Sequence, residues 1–267
     1  MSSYAITGAS RGLGLELVTQ LSSVPSNTIF ALVRDPNNSP ALQGLANERS
    51  NVHVLTADVT DPDAILNAAA SVSTVTGGKL DILIHNAAGM DHTAMPLAPS
   101  QLPFEREALA AMFRLEMSTS VFGAIWTTNA FLPLLEKGRE KKVVHITTAM
   151  ADVDFVNATG IAYGVAAGVS KAGLNLVTAK YAAEFADKGI KFLALSPGWV
   201  NTMEGPAPPQ MKPFFELMLS QFRRAEPNLE GPLTKSDSVR MQLEVIDKLD
   251  QKLSGQVVSH HGDKNWF

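Results

Sequence analysis

Thr7-Gly8-Ala9-Ser10-Arg11-Gly12-Leu13-Gly14 places three glycines at a Gly-x3-Gly-x-Gly spacing, directly after a short apolar run and at the start of a helical one. Glycines there permit a tight turn and let backbone N–H groups approach a pyrophosphate at a helix N-terminus. The spacing differs from the Gly-x-Gly-x2-Gly of the standard dinucleotide fingerprint, and glycine-rich turns also arise for purely structural reasons. Arg34 follows at the end of the next apolar run. In a nucleotide-binding α/β unit that position carries an acid for the ribose 2′-OH of NAD, or an Arg that accommodates the 2′-phosphate of NADP. Arg11 adds a second guanidinium, and two phosphate-matching forks favour NADP(H). Asp35 is adjacent and could serve as an NAD acid. The bland alternative is a solvated Arg34–Asp35 pair at a strand end.

Such a turn works only on a scaffold, and the chain supplies one. Short β-branched and apolar runs at Tyr4–Thr7, Thr28–Val33, Val52–Leu55, Asp81–His85, Lys142–Thr147, Ile190–Leu195 and Gln256–Ser259 read as strands covered on both faces. Helical stretches lie between them, at Leu13–Ser22, Asp63–Val75, Phe104–Leu135, Gly168–Ala186 and Ser236–Leu253. This alternation predicts a doubly wound α/β domain, a parallel sheet of about seven strands with helices on both faces, over residues 1–267. Met90–Pro103 carries three prolines and reads as a loop. Residues 201–231 open with Pro206, Pro208 and Pro209, supply an apolar helix from Pro213 to Phe222, and end on Pro227 and Gly231. In this fold ligands lie beyond the carboxyl ends of the strands, so this insert is expected to be a substrate lid. A core-capping helix or a subunit interface is the alternative.

Composition narrows the classes. The 267 residues are 45% hydrophobic and 18% charged, ordinary globular usage that excludes disordered and collagen-like chains. With 22 basic against 26 acidic residues and no basic run, nucleic acid is not an expected partner. There is no cysteine, which removes thiolate and disulfide chemistry. The six histidines include no metal-spaced pair, and His260-His261 are expected to diverge in a strand-like ending. No run of consecutive apolar residues approaches the ~18 that span a membrane, and no signal peptide is visible. A soluble, cytoplasmic protein with no membrane partner is expected.

The glycine-rich octapeptide resembles the TGxxxGxG of short-chain dehydrogenases/reductases. Further matches follow in order: Asp58-Val59, Asn86-Ala87-Ala88-Gly89, Ser170-Lys171-Ala172 and Pro197-Gly198-Trp199-Val200-x-Thr202. The ending Ser254-Gly255-Gln256-Val257-Val258 resembles fungal members of the sniffer/C-factor type. The resemblance implies that Gly8, Ser10, Arg11, Gly12, Leu13 and Gly14 cradle the NADP pyrophosphate. It implies that Asp58 and Val59 contact the adenine and that Asn86, with Ala87 and Gly89, borders the central ribose. Lys171 would hold the nicotinamide ribose, and Pro197, Gly198, Val200 and Thr202 would border the nicotinamide amide.

The family's chemistry rests on Asn, Ser, Tyr and Lys, with Tyr-x3-Lys placing two side chains on one helix face. The lysine lowers the phenol's pKa so that it exchanges a proton with a substrate oxygen. Here the helix reads Ala167-Gly168-Val169-Ser170-Lys171, with alanine in the tyrosine position. Thr148 replaces the serine and keeps its hydroxyl. Ser120 stands at the asparagine position without the amide's reach. Tyr163 lies one turn upstream. A continuous helix would put it ~12 Å along the axis from Lys171, but Gly160, Gly164 and Gly168 allow a bend that swings the ring towards Ala167. Otherwise it is a packed or substrate-facing aromatic. Asp152, Asp154, His92 and Glu116 are weaker candidate acids.

Three functions fit these residues. One is an NADP(H)-dependent reductase of a carbonyl, imine or activated alkene on an apolar small molecule, with a non-standard site. Another keeps the nucleotide but performs cyclisation, isomerisation or elimination. The third is an NADP(H)-binding protein whose catalytic apparatus has decayed. By the same resemblance, the helices of Phe104–Leu135 and Gly168–Ala186 pair across a two-fold axis in a homodimer or homotetramer. Light scattering at micromolar concentration should therefore give at least twice the chain mass; a monomer contradicts this.

Overall fold

The computed structural model describes residues 1–203, 205 and 209–267; Pro206 and Pro208 of the expected lid lie outside the described residues. The strands are β1 Ser3–Thr7, β2 Thr28–Val33, β3 Val52–Thr56, β4 Ile82–His85, β5 Lys142–Ile146, β6 Lys191–Ser196 and β7 Val257–Ser259. The helices are α1 Gly12–Ser22, α2 Pro40–Glu48, α3 Pro62–Thr76, α4 Arg106–Glu116, α5 Gly123–Leu135, α6 Val153–Thr159, α7 Val165–Glu184, α8 Lys212–Phe222 and α9 Lys235–Asp247. All seven strands are parallel, in the order β3-β2-β1-β4-β5-β6-β7. The order reverses between β1 and β4, and in such sheets ligands bind at that crevice.

Alternation along the strands divides their side chains between two cores. Ile6, Ile84, Val144, Leu193 and Leu195 meet α1 and α9 on one face. Ala5, Leu83, Val143 and Phe192 meet α3, α5 and α7 on the other. Both faces are covered, which is why the strands read as near-continuous apolar runs with few polar positions.

The long helix expected over Phe104–Leu135 is instead two α-helices joined by a π-helical turn, Met117–Phe122. Arg106–Leu135 is nonetheless one 30-residue helical stretch, apolar enough by length and composition to cross a membrane. This corrects the expectation drawn from consecutive runs, because the apolar character is interrupted by scattered serines, threonines and charges. The buried face of α5, with Phe131, Leu134 and Leu135, packs on the sheet. Helix α7 starts at Val165, three residues before the expected Gly168, so Ala167 lies in its first turn. Helices α2 and α6 were not expected from the sequence.

Two buried histidines tie helices to strand ends. His145 of β5 lies between Thr178 Oγ1 of α7 at 2.8 Å and Thr128 Oγ1 of α5 at 3.1 Å. Thr178 already donates its proton to the Leu174 carbonyl, so His145 Nδ1–H donates to Thr178 and Thr128 donates to Nε2. Burial, reinforced by the Lys171 charge, pushes the His145 pKa down to about 3, so the ring is neutral. Replacing Thr178 with Val would leave a buried ring nitrogen unpaired, at a cost of about 1–3 kcal/mol. Urea unfolding should show that loss; an unchanged midpoint contradicts it.

Candidate functional site

The glycine-rich turn connects β1 to α1 at the crevice. Gly8 has φ of 65° and Gly12 of 59°, the left-handed region that favours glycine. A Cβ on Gly14 would lie 2.1 Å from the Gly8 carbonyl oxygen and 2.6 Å from Asn86 Nδ2. Asn86 fixes this turn by donating from Nδ2 to the carbonyls of Thr7 at 3.2 Å and Gly8 at 3.1 Å. Its own N–H and that of Ala87 donate to Thr7 Oγ1, each at 3.1 Å. Asn86 thus braces the turn from β4, a role its expected ribose contact did not include. At α1 no side chain caps the N-terminus, and the first helical backbone bond runs from Leu15 N–H to the Arg11 carbonyl. The preceding N–H donors at Gly12, Leu13 and Gly14 suit an anion. Close backbone packing with open donors fits a dinucleotide pyrophosphate.

Around the turn, Arg11 and Arg34 are exposed. Asp35 accepts from Asn37 N–H at 2.9 Å and caps a short 3-10 turn. Arg34 and Asp35 form no ion pair with each other; both are exposed at the strand end, as the solvated alternative also expects. Asp58 likewise accepts from the Thr60 N–H and hydroxyl, at 2.9 and 2.7 Å. Gly89 admits the long helix: a Cβ there would lie 2.6 Å from Leu115 Cγ. On the far side, Pro197, Gly198 and Val200 leave β6, with Gly198 at φ 82° and Val200 bridged to Leu233. Thr202 Cβ would be 3.9 Å from a Cβ on Gly12, so this loop reaches the turn.

Lys171 is buried in α7 and donates from Nζ to the Ile146 carbonyl at 2.7 Å, at the end of β5. Burial pushes its pKa from 10.5 down to about 8, a shift partly opposed by Glu116. Thr148 follows β5 and uses its oxygen to accept from Met150 N–H at 3.3 Å. Ser120 lies in the π-helical turn, fully buried, and its hydroxyl has no hydrogen-bond partner. The π turn also orients the Thr119 carbonyl, 3.3 Å from His85 Nε2.

Tyr163 does not hydrogen-bond to Lys171. Gly160 and Gly164, at φ 70° and 69°, do bend the chain before α7. The bend packs the ring on Phe214 of α8, with centroids 5.1 Å apart, and leaves the hydroxyl without a partner. Burial raises its pKa to about 12, the wrong direction for an acid near neutrality. The structure therefore gives Tyr163 the packed-aromatic role and not the swung-in one. Its cluster includes Phe155, Ile161, Met218, Phe222 and Trp266, a small core above the carboxyl ends of the strands. Sequence reasoning missed Phe214 and Trp266, because their partners lie on distant segments and no local pattern marks them. Asp152 caps α6 and pairs with Lys264 at 3.0 Å, so it too is structural. His260 and His261 sit with ring centroids 4.1 Å apart. Contrary to the expected divergence, the chain turns after Ser259, which brings the rings together.

Beneath α8, Trp199, Met203, Phe215 and Leu219 line a cleft of about 260 Å3. A second, smaller cavity of about 10 Å3 lies at the α7 N-terminus, lined by Asp91, Ala94, Met95, Glu116, Gly164, Ala166 and Ala167. It is at the lower limit of room for one water.

Comparison with known proteins agrees with this geometry. A family model described as short chain dehydrogenase matches residues 3–209. The chain is 44% identical to "Short-chain dehydrogenase/reductase atnB" of Arthrinium sp. and 42% identical to "Short-chain dehydrogenase/reductase AacuF" of Aspergillus aculeatus, covering 100% of both chains in each case. Among solved structures, an NADPH-bound carbonyl reductase from chicken fatty liver superposes with a TM-score of 0.78 at 27% identity, covering 98% of each chain.

The Lys171 geometry generates a pH test. Between pH 8 and 10.5 the unfolded chain retains this lysine's proton while the folded chain releases it, so stability rises with pH there. Relative to Lys171→Met, the wild type should gain up to ~3 kcal/mol across that window. A constant difference between the two proteins in denaturant unfolding contradicts the buried ammonium.

Proposed function

The chain belongs to the short-chain dehydrogenase/reductase family, and from that premise we propose that it is an NADP(H)-dependent reductase acting on a carbonyl, imine or activated alkene of an apolar small molecule. The observation that carries the nucleotide preference is the pair at the end of β2. Arg34 is exposed and unpaired with its neighbour, while Asp35 spends a carboxylate oxygen on Asn37 N–H. An acid so engaged is poorly placed for a ribose 2′-OH, whereas a free guanidinium suits a 2′-phosphate.

In this reading Gly8, Ser10, Arg11, Gly12, Leu13 and Gly14 hold the pyrophosphate, and Arg11 and Arg34 hold the 2′-phosphate. Asp58 and Val59 flank the adenine, and Ala87 and Gly89 border the ribose that Asn86 positions through the turn. Pro197, Gly198, Val200 and Thr202 border the nicotinamide. When bound, the reduced nucleotide supplies hydride. Lys171 turns from the Ile146 carbonyl to the nicotinamide ribose, and Thr148 orients the substrate oxygen with its hydroxyl. The cleft beneath α8 selects apolar substrates through Trp199, Met203, Phe215 and Leu219; α8 thus acts as the lid. Packing Tyr163 away from Lys171 favours substrates whose reduction does not require a phenol. Exposed Leu115, Phe122, Val169 and Leu176 on α4, α7 and the π turn support a homo-oligomer built on these helices.

Calorimetry should show NADPH bound roughly tenfold or more tightly than NADH, a difference of about 1.4 kcal/mol. Arg34→Asp should abolish or reverse that preference, because an acid beside a phosphate is repelled. Equal affinities in the wild type contradict the assignment of Arg11 and Arg34.

A further inference from the structure

Substituting alanine for the family's tyrosine leaves a question of where the proton comes from, and the small cavity at the α7 N-terminus supplies a candidate. Its walls include both Ala167 and Glu116. Glu116 is the last residue of α4, just before the π-helical turn, and it is buried at 4% exposure. One carboxylate oxygen accepts from Asp91 N–H at 3.3 Å; no other hydrogen bond or ion pair engages the group among the described residues. The loop carrying Asp91 is pinned over the cavity by Gly164 N–H, which donates to the Met95 carbonyl at 2.9 Å. A buried carboxyl with a single weak partner thus shares a water-sized space with the position that lacks a phenol.

We propose that Glu116 is the proton donor of this site, acting from the space beside Ala167 directly or through one water. The inference rests on the reductase reading above. In the step, the substrate carbonyl carbon takes hydride from the reduced nicotinamide nucleotide, which is thereby oxidised. The C=O π bond breaks, and the oxygen takes the proton of the Glu116 carboxyl, giving an alcohol and a carboxylate. That carboxylate forms near the Lys171 ammonium and the N-terminus of α7. The N–H groups of Val165, Ala166 and Ala167 precede the first bond of that helix, from Gly168 N–H to the Gly164 carbonyl, and favour negative charge. Solvent returns the proton from the side of Asp91 and His92.

The charged groups around Glu116 support this role. Burial raises its pKa above the ordinary 4.5; the Asp91 N–H, Lys171 and His92 oppose that, and the Asp91 charge adds to it. The net direction holds the proton longer than an exposed glutamate would. The bland role, a helix-end carboxylate that merely holds Asp91, needs no such retention.

Two measurements separate these roles. In the cofactor-free full chain, side-chain carboxyl 13C NMR, assigned with Glu116→Gln, should show Glu116 titrating above 4.5. Lys171→Met should raise that midpoint further, because it removes a charge that favours the carboxylate. In turnover with NADPH and a panel of apolar ketones and aldehydes, Glu116→Gln should lower kcat by ~10²-fold or more while leaving NADPH affinity within about threefold. Glu116→Asp should recover part of the loss, and the fall in wild-type kcat as pH rises through the Glu116 midpoint should vanish in Glu116→Gln, while any fall set by Lys171 near pH 8 remains. A Glu116 midpoint at or below 4.5, or full turnover in a folded Glu116→Gln protein, overturns the proposal. If the wild type reduces nothing in the panel, the carbonyl-reductase reading falls and the proton-donor step with it, whereas full turnover in Glu116→Gln overturns the assignment of Glu116 alone.

Discussion

The ammonium of Lys171 lies buried between β5 and α7, and its 2.7 Å hydrogen bond to the Ile146 carbonyl fixes where everything else in the site must stand. Burying a cation is costly unless partners are close. The last carbonyl of β5 is one such partner, and the field of Glu116 is another. The strand end therefore determines the position of α7 as much as apolar packing does. Its carbonyl is also a removable partner: a ribose hydroxyl can replace it without leaving the lysine unsatisfied.

Around that cation two buried histidines are kept neutral. His85 and His145 lie edge-on with ring centroids 6.0 Å apart, and burial is the main cause that lowers both pKa values. Threonines occupy their ring nitrogens, with Thr7 3.3 Å from His85 Nδ1. Thr7 also receives the N–H groups of Asn86 and Ala87, so one hydroxyl joins β1, β4 and the glycine-rich turn. The glycine-rich turn and α7 are thus both tied to the middle of the sheet by buried polar side chains.

Much of this was legible in the sequence, for identifiable reasons. The strands carry two-sided burial and read as continuous apolar runs, and the glycine-rich turn reads because a side chain at Gly14 would collide with backbone. Helix α2 was not legible: Pro40 and Gly44 are breakers in isolation, yet Pro40 sits harmlessly in the first turn. The π-helical turn was not legible either, since it adds no residue type that marks it. Tyr163 shows the limit most clearly. Its glycines gave the bend, but the direction of the ring was set by Phe214, fifty-one residues later in the chain and invisible to any local pattern. Glu116 was legible only as an acid in a helix; its burial beside Ala167 depends on how α4 and α7 cross.

In the proposed mechanism Lys171 and Glu116, without a phenol between them, form the chemical end of the site. A crystal structure with NADP+ and a bound alcohol product tests it most directly. In that complex Lys171 Nζ should have left the Ile146 carbonyl for the nicotinamide ribose, and the alcohol oxygen should lie within ~3.5 Å of Glu116 or of one water bonded to it. Tyr163 should remain on Phe214. A product oxygen held by the Tyr163 hydroxyl, with Glu116 out of reach, would rule out Glu116 as the proton donor.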